Sequence, residues 1–203
     1  MAFSDFTKVE QVIQLYPLQI TRKNFIPDVV FEPPALFIED VNFSLEKQAM
    51  QESEMYFRES FIFPFLQQAW KRHPRLKLWI NQALKYDDKL FGEPDYFVSA
   101  LAEKDVIDRL VNKPMLAVVE TKKQDFEGGW AQCLAELIAC QEVNADEHLT
   151  VYGIVSTGII WEFGKLKQNV FTRDPLAYTI AHPQKVLGIL DYIFAACEKQ
   201  LDG

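Results

Sequence analysis

The stretch MLAVVETKK, residues 115 to 123, decides how the rest of the chain is read. Met115 to Val119 form an apolar run that reads as a buried strand. The run ends in Glu120, and Lys122 follows two residues later. Residues two apart on a strand share a face. One face at the end of a buried strand therefore presents a carboxylate beside an ammonium. Upstream, GEPDYFVSAL (residues 92 to 101) places Asp95 at the start of another strand. Pro94 fixes its own φ and drives Glu93 to an extended shape. If this strand pairs with 115 to 122, Asp95 lies next to Glu120. Two carboxylates brought together repel, and at neutral pH one tends to protonate. A divalent cation removes that penalty, and oxygen ligands with open water positions suit Mg²⁺ or Mn²⁺. Lys122 could then orient a water and offset negative charge on a pentavalent phosphate.

The elements around these two strands give an α/β layer with a mixed central sheet flanked by helices. Residues up to about Ser44 are rich in Pro and aromatic side chains and read as an extended arm with turns and an edge hairpin. A helix is expected from about Leu45 to Trp70. Strands and a turn around Gly92 follow, and then AEKDVIDRLVNKP reads as a charged connection holding a short helix. After the buried strand, WAQCLAELIACQEV carries apolar residues at helical spacing, namely Trp130, Cys133, Leu134, Leu137 and Ile138. LTVYGIVSTG and IIWEFGKL read as two more strands. The chain closes with an amphipathic helix over 183–201, where Pro183 suits a first turn. Its stripe of Val186, Leu190, Ile193 and Cys197 reads as core, with a homodimer face as the alternative. The whole chain is taken as one domain, with an arm over 1–44, a core over 45–165 and this last helix.

The first long helix adds an independent clue. With 100° per residue, Glu54 and Arg58 fall inside the stripe made by Phe57, Phe61, Ile62, Phe65 and Ala69. Glu52 and Glu59 fall off its edge. Charged residues on a core-facing stripe are costly unless something receives them. A metal-binding or phosphate-binding pocket would.

Taken in order, these residues resemble the PD-(D/E)xK nuclease superfamily. Pro94-Asp95 looks like the first half of its motif and Glu120-Thr121-Lys122 like the second. The chain looks most like the N-terminal nuclease domain of type I restriction enzyme motor subunits, over roughly residues 50 to 165. QESEMYFRESFIFPFL is similar to the opening helix of those domains through Glu54, Arg58 and Pro64. GWAQ matches their helix glutamine with Gln132, and VSTGIIWEF their following strand pair with Thr157, Gly158 and Trp161. Related domains often carry Tyr four residues after that glutamine, where this chain has Glu136. The resemblance implies a restriction-endonuclease-like core that hydrolyses DNA with Mg²⁺ or Mn²⁺. It implies Asp95 and Glu120 as metal ligands, with the Thr121 carbonyl as a further one. Lys122 becomes the catalytic base or charge stabiliser, Glu54 an accessory acid and Gln132 a further site residue. Contacts to nucleic acid would fall on Arg58, on Lys123 and on the basic cluster KRHPRLK through Arg72, Arg75 and Lys77.

Composition sets bounds on this reading. The chain has 203 residues, with 21 Lys and Arg against 29 Asp and Glu, for a net charge of −8. That weighs against bulk electrostatic attraction to nucleic acid, although affinity depends on charge near the phosphates. A protein of the same fold that has lost catalysis and serves as a binding or assembly module is the alternative. A small-molecule binder whose Glu-x-Lys is structural is a third reading. No apolar run approaches the roughly 18 to 20 residues of a membrane span, and no secretory signal is visible. Cys133, Cys140 and Cys197 form no CxxC pair and read as reduced core thiols of a cytoplasmic protein. His73, His148 and His182 show no ligand spacing and read as surface residues.

Overall fold

The computed structural model describes residues 2–101, 114–123 and 125–202. The charged connection expected to hold a short helix lies outside them. The apolar run becomes strand β6 (Met115–Thr121), buried along its whole length. It pairs antiparallel with β5 (Tyr96–Ala100) on one side and parallel with β7 (Val151–Ser156) on the other. A strand flanked on both sides and covered on both faces has no wet face to alternate toward, hence the unbroken apolar sequence. The parallel step needs a long crossover. It runs through helix α5 (Phe126–Asn144).

Outward from this centre, β2 (Leu76–Ile80) pairs antiparallel with β5. On the other side come β8 (Ile160–Lys167), then β9 (Val170–Thr179), then β1 (Gln19–Arg22). The full order is β1-β9-β8-β7-β6-β5-β2, a mixed sheet of seven strands. A separate hairpin joins β3 (Leu84–Lys85) and β4 (Phe91–Gly92). One face of the sheet packs on α5 and the short α1 (Val9–Leu15) around Trp130, Val118, Val155 and Leu166. The other face packs on α4 (Phe63–Trp70) and α6 (Pro183–Lys199) around Phe65, Ile154, Leu190 and Phe194. The α6 stripe of Val186, Leu190, Ile193 and Cys197 is therefore core. All three cysteines are free and buried. Among the described residues no helix is long and apolar enough to cross a membrane.

Two paired glycines set how deeply α5 lies. Gly153 and Gly164 face each other across β7 and β8. A Cβ on Gly153 would meet Cys133 Sγ at 3.0 Å, and one on Gly164 would meet the Trp130 ring at 2.9 Å. The missing side chains let the helix settle onto the sheet, which brings its inner face close to the end of β6.

The first long helix is not one regular element. α3 (Glu54–Phe57) passes through a π turn, Arg58–Ile62, into α4. The N–H of Phe63 reaches back to the carbonyl of Arg58. Pro64 follows at once, and a proline inside a helix removes one donor and crowds the preceding turn. A wide turn just before it accommodates that ring.

The structure corrects the N-terminal half of the sequence reading. The helix expected from Leu45 is two helices, because α2 (Ala35–Lys47) ends before Ser53 caps α3. The residues read as an extended arm contain α1, β1 and most of α2. Phe37 and Val41, one turn apart on α2, are buried, and the Phe37 ring meets Phe65 edge-on at 5.0 Å. The expected edge hairpin is a single strand, β1, parallel to β9. Strand β9 itself was not anticipated. It carries Pro175 where its register with β8 shifts, between Glu162 and Gly164, a place where a proline costs no ladder bond. His73, read as a surface residue, is buried against α6, while His148 and His182 are exposed.

Candidate active site

The register of β5 on β6 sets Tyr96 opposite Val119. One step further, Asp95 stands opposite Glu120, and residues directly opposite on paired strands share a face. The sequence reading asked for this juxtaposition. Lys122 follows the strand and returns its ammonium to Glu120, with Nζ 2.8 Å from Oε1. Its backbone N–H is fixed by the carbonyl of Ser156, at the end of the parallel strand β7. The aliphatic stem of Lys122 runs close to Gly129, where an added Cβ would meet Cγ at 3.1 Å. The cluster therefore sits at the carboxyl ends of the parallel pair β6 and β7, beside the first turns of α5.

Asp95 is held from two sides. Its Oδ1 lies 2.8 Å from an Arg58 nitrogen, and its Oδ2 accepts from the Thr121 N–H at 2.8 Å and from the Thr121 hydroxyl. Arg58 also donates to the Asn81 side-chain oxygen at 2.8 Å and lies over the Tyr96 ring, 5.2 Å from its centre. The Asn81 N–H donates to the Asp95 carbonyl, with Asn81 at a positive φ that asparagine tolerates. Arg58 was expected on nucleic acid. It is instead buried, on the core-facing stripe of its helix, where Asp95 receives its charge.

One residue was passed over in the sequence. Glu136 was read only as a departure from a family pattern. It lies on α5 and is 2% exposed, and its Oε2 is buried without a hydrogen-bond partner among the described residues. Its position was legible in principle. WAQCLAELIAC is apolar on every side, so its helix must be buried all round and a carboxylate in it cannot reach water. Gln132 lies one turn earlier, half-buried.

Charge in this cluster is strongly coupled. Burial pushes the Glu120 carboxyl up to about 7, and Asp95 and Glu54 push the same way, while Lys122 pulls it back. Burial also raises Glu136 well above the ordinary carboxylate range, and Glu120 and Asp95 add to the rise. For Lys122, burial acts downward, but Glu120, Glu54 and Asp95 outweigh it and the net shift is upward. Glu54 acts on both Glu120 and Lys122 although it is exposed. Glu54 is the first residue of α3, so its charge acts on the cluster from the solvent side. Glu52 instead accepts from the Ala49 N–H at 2.8 Å.

The remaining predicted contacts are scattered. Lys123 is exposed beside the cluster. Arg72 pairs with Asp191 at 3.4 Å and Arg75 with Asp202 at 2.7 Å, both against α6 or the turn after it. Lys77 sits over the Trp70 and Trp79 rings, on β2. The basic run KRHPRLK is thus largely spent on the protein's own acids and rings.

Among the described residues no three His, Cys, Asp or Glu side chains close around a common point. The donor chemistry nonetheless suits a hard cation. The available atoms are carboxylate oxygens, they are crowded and buried, and one of them has no partner. No family model matches the chain, and no curated protein is detectably similar to it in sequence.

Proposed function

We propose that this chain is a metal-dependent nuclease of the PD-(D/E)xK type, with a restriction-endonuclease-like core, that hydrolyses phosphodiester bonds in DNA. The observation that carries the reading is the convergence of Asp95, Glu120 and Lys122 at one end of the sheet. Its support is electrostatic. A carboxyl raised to about 7 beside further buried acids is a site short of positive charge. Asp95 and Glu120 would hold Mg²⁺ or Mn²⁺, with the Thr121 carbonyl as a further ligand. A bound cation supplies Lewis acidity at the phosphate and lowers the pKa of water.

The chain's own groups have separate tasks. Lys122 would orient the attacking water and offset the charge that develops on the phosphate oxygens. Arg58 and Thr121 would hold the Asp95 carboxylate in place. Water adds to phosphorus, one P–O ester bond breaks, and the proton released passes through solvent to the leaving oxygen. The test is a cleavage panel of plasmid and single-stranded DNA with Mg²⁺, Mn²⁺ or EDTA. Cleavage with metal alone supports the proposal.

One observation favours a second reading. Both oxygens of Asp95 are already engaged, by Arg58 and Thr121. If metal binds and every substrate stays intact, the chain is a nuclease-fold module that binds without cutting.

A further inference from the structure

A groove of 350 Å³ opens beside the acidic cluster. Phe57 lines it from α3, Phe126 from the start of α5, and Thr157, Ile159 and Ile160 from the turn between β7 and β8. Gln48 and Lys123 complete it, and Lys123 comes one residue after Lys122. Three larger grooves, of 380, 520 and 620 Å³, lie elsewhere, and no cluster side chain lines any of the four; the 350 Å³ groove is set beside the cluster by chain connectivity. This one shares α3 with Glu54, the end of β6 with Lys122 and the first turn of α5 with Gly129. It also lies at the carboxyl ends of a parallel strand pair, where open α/β sheets bind ligands. Its turn is held firmly. The Gly158 N–H bonds to Ser156 Oγ, and an added Cβ on Gly158 would press on the Phe57 backbone and Cβ.

We propose that this groove receives one unpaired base of a DNA strand whose neighbouring phosphate lies at the Asp95–Glu120–Lys122 cluster. The phosphate placement rests on the nuclease reading; the base site does not. Three observations choose the occupant. The volume is at the small end of ligand pockets and suffices for one base with its sugar. The lining pairs aromatic with aliphatic side chains, which suits a flat heterocycle, and base–aromatic stacking tolerates any sequence. The exposed cation of the lining is Lys123, next in sequence to Lys122, in a chain whose net charge is −8. The substrate class is therefore single-stranded DNA, or a duplex with a frayed or flipped nucleotide.

The experiment reads binding, not cleavage. Fluorescence anisotropy would follow a labelled oligothymidine and a blunt duplex of equal length in Ca²⁺ buffer. The proteins are wild type, Phe126→Leu, Phe126→Trp and Lys123→Glu, each checked by a melting curve. Wild type should favour the single strand. Phe126→Leu keeps an apolar filler but loses the aromatic face, and should weaken single-strand binding about tenfold. Phe126→Trp should retain it, and Lys123→Glu should weaken both probes. If Phe126→Leu does not fold, Ile160→Glu on the exposed lining carries the same expectation. Equal single-strand binding by wild type and Phe126→Leu overturns the base site, and so does equal binding of the two probes by wild type. A protein that shows the expected pattern yet cuts nothing with Mg²⁺ or Mn²⁺ keeps the base site and loses the nuclease reading. One that cuts while Phe126→Leu binds unchanged does the reverse.

Discussion

The cluster at the end of β6 and the junction between α4 and α6 both gather acids and bases, on opposite terms. At the junction, Arg72, His73 and Arg75 each meet an acid, drawn from Asp191, Glu198 and Asp202. The His73 ring nitrogens lie 3.1 Å from Asp191 and from Glu198. The Glu198 carboxylate also accepts the Arg75 N–H. Each group there has a partner, and the network ties the KRHPR turn to the last helix. At the cluster, Asp95, Glu120 and Glu136 face two cations, Arg58 and Lys122, and Glu54 adds a further acid from the edge. Glu120 and Glu136 are buried with their carboxyls raised above the usual range, and one carboxylate oxygen of Glu136 has no partner among the described residues. A network in which every group has a partner can be explained by the fold alone. Buried acids with an unpartnered oxygen cost stability, and that cost points to a ligand.

The largest effect should come from Arg58. Arg58→Ala leaves the Asp95 carboxylate beside buried acids without its cation. Removing one partner of a buried pair costs about 3–5 kcal/mol, and Asp95 is exposed enough that the lower end applies. Urea unfolding of the apo protein measures it. A loss below about 1 kcal/mol would mean that solvent already screens the pair, and the contrast between the two regions would fail.

Lys122→Ala should follow closely in energy but appear in a different readout. Losing a group that stabilises developing charge lowers turnover about 10²–10³-fold. Metal binding should survive, since Asp95 and Glu120 remain. Cleavage at the wild-type rate would assign any activity to another site and return the Glu120–Lys122 pair to a structural role.

How far the two regions were legible in the sequence follows from the range of the interactions. Val118, Glu120 and Lys122 declare their strand and its face locally, and Asp95 after Pro94 declares its partner. Alpha-helical spacing places Leu190 and Ile193 on the core side of α6. What failed was decided at a distance. β1 has four exposed residues and is a strand because residues some 150 positions later lie beside it. β9 hides behind Asp174 and Pro175, which break the alternation that marks a strand. At the junction, the basic run looked like a phosphate surface because nothing in KRHPRLK reveals that Asp191, Glu198 and Asp202 will meet it. At the cluster, Glu136 was legible from its apolar helix, and a comparison with a family pattern obscured it.

Glu120 makes the contrast pH-dependent. Its carboxyl is raised from 4.5 to about 7, first by burial and then by Asp95. The folded protein therefore holds that proton more tightly than the unfolded chain between about pH 4.5 and 7. Stability from this group is present at the acid end of the window and is lost as pH rises through it. Melting curves in EDTA should show wild type losing a few degrees between pH 5 and 8 relative to Glu120→Gln. Mn²⁺ should restore more at pH 8 than at pH 5, because the carboxylate it needs is ionised only at the higher pH. A flat difference between the two proteins across this range would show that Glu120 is not held as the geometry implies.

The smallest effect should be found at the junction, and it sharpens the comparison most. Arg75 and Asp202 are exposed at 47% and 65% of their side chains, although their charged atoms lie 2.7 Å apart. Exposed pairs of this kind contribute about 0.2–1 kcal/mol, and salt screens them. Arg75→Ala should therefore cost less than about 1 kcal/mol in urea unfolding, with the difference shrinking in high salt. The Arg75 N–H stays on Glu198 in this variant, because a backbone bond does not need the side chain. The same substitution should leave DNA binding and cleavage unchanged, since its guanidinium is already committed to Asp202. Suppose Arg75→Ala instead weakened DNA binding in step with a reduced salt dependence. The junction would then hold a phosphate-contacting cation after all, and its pairing of Arg75 with Asp202 would describe only the unliganded protein.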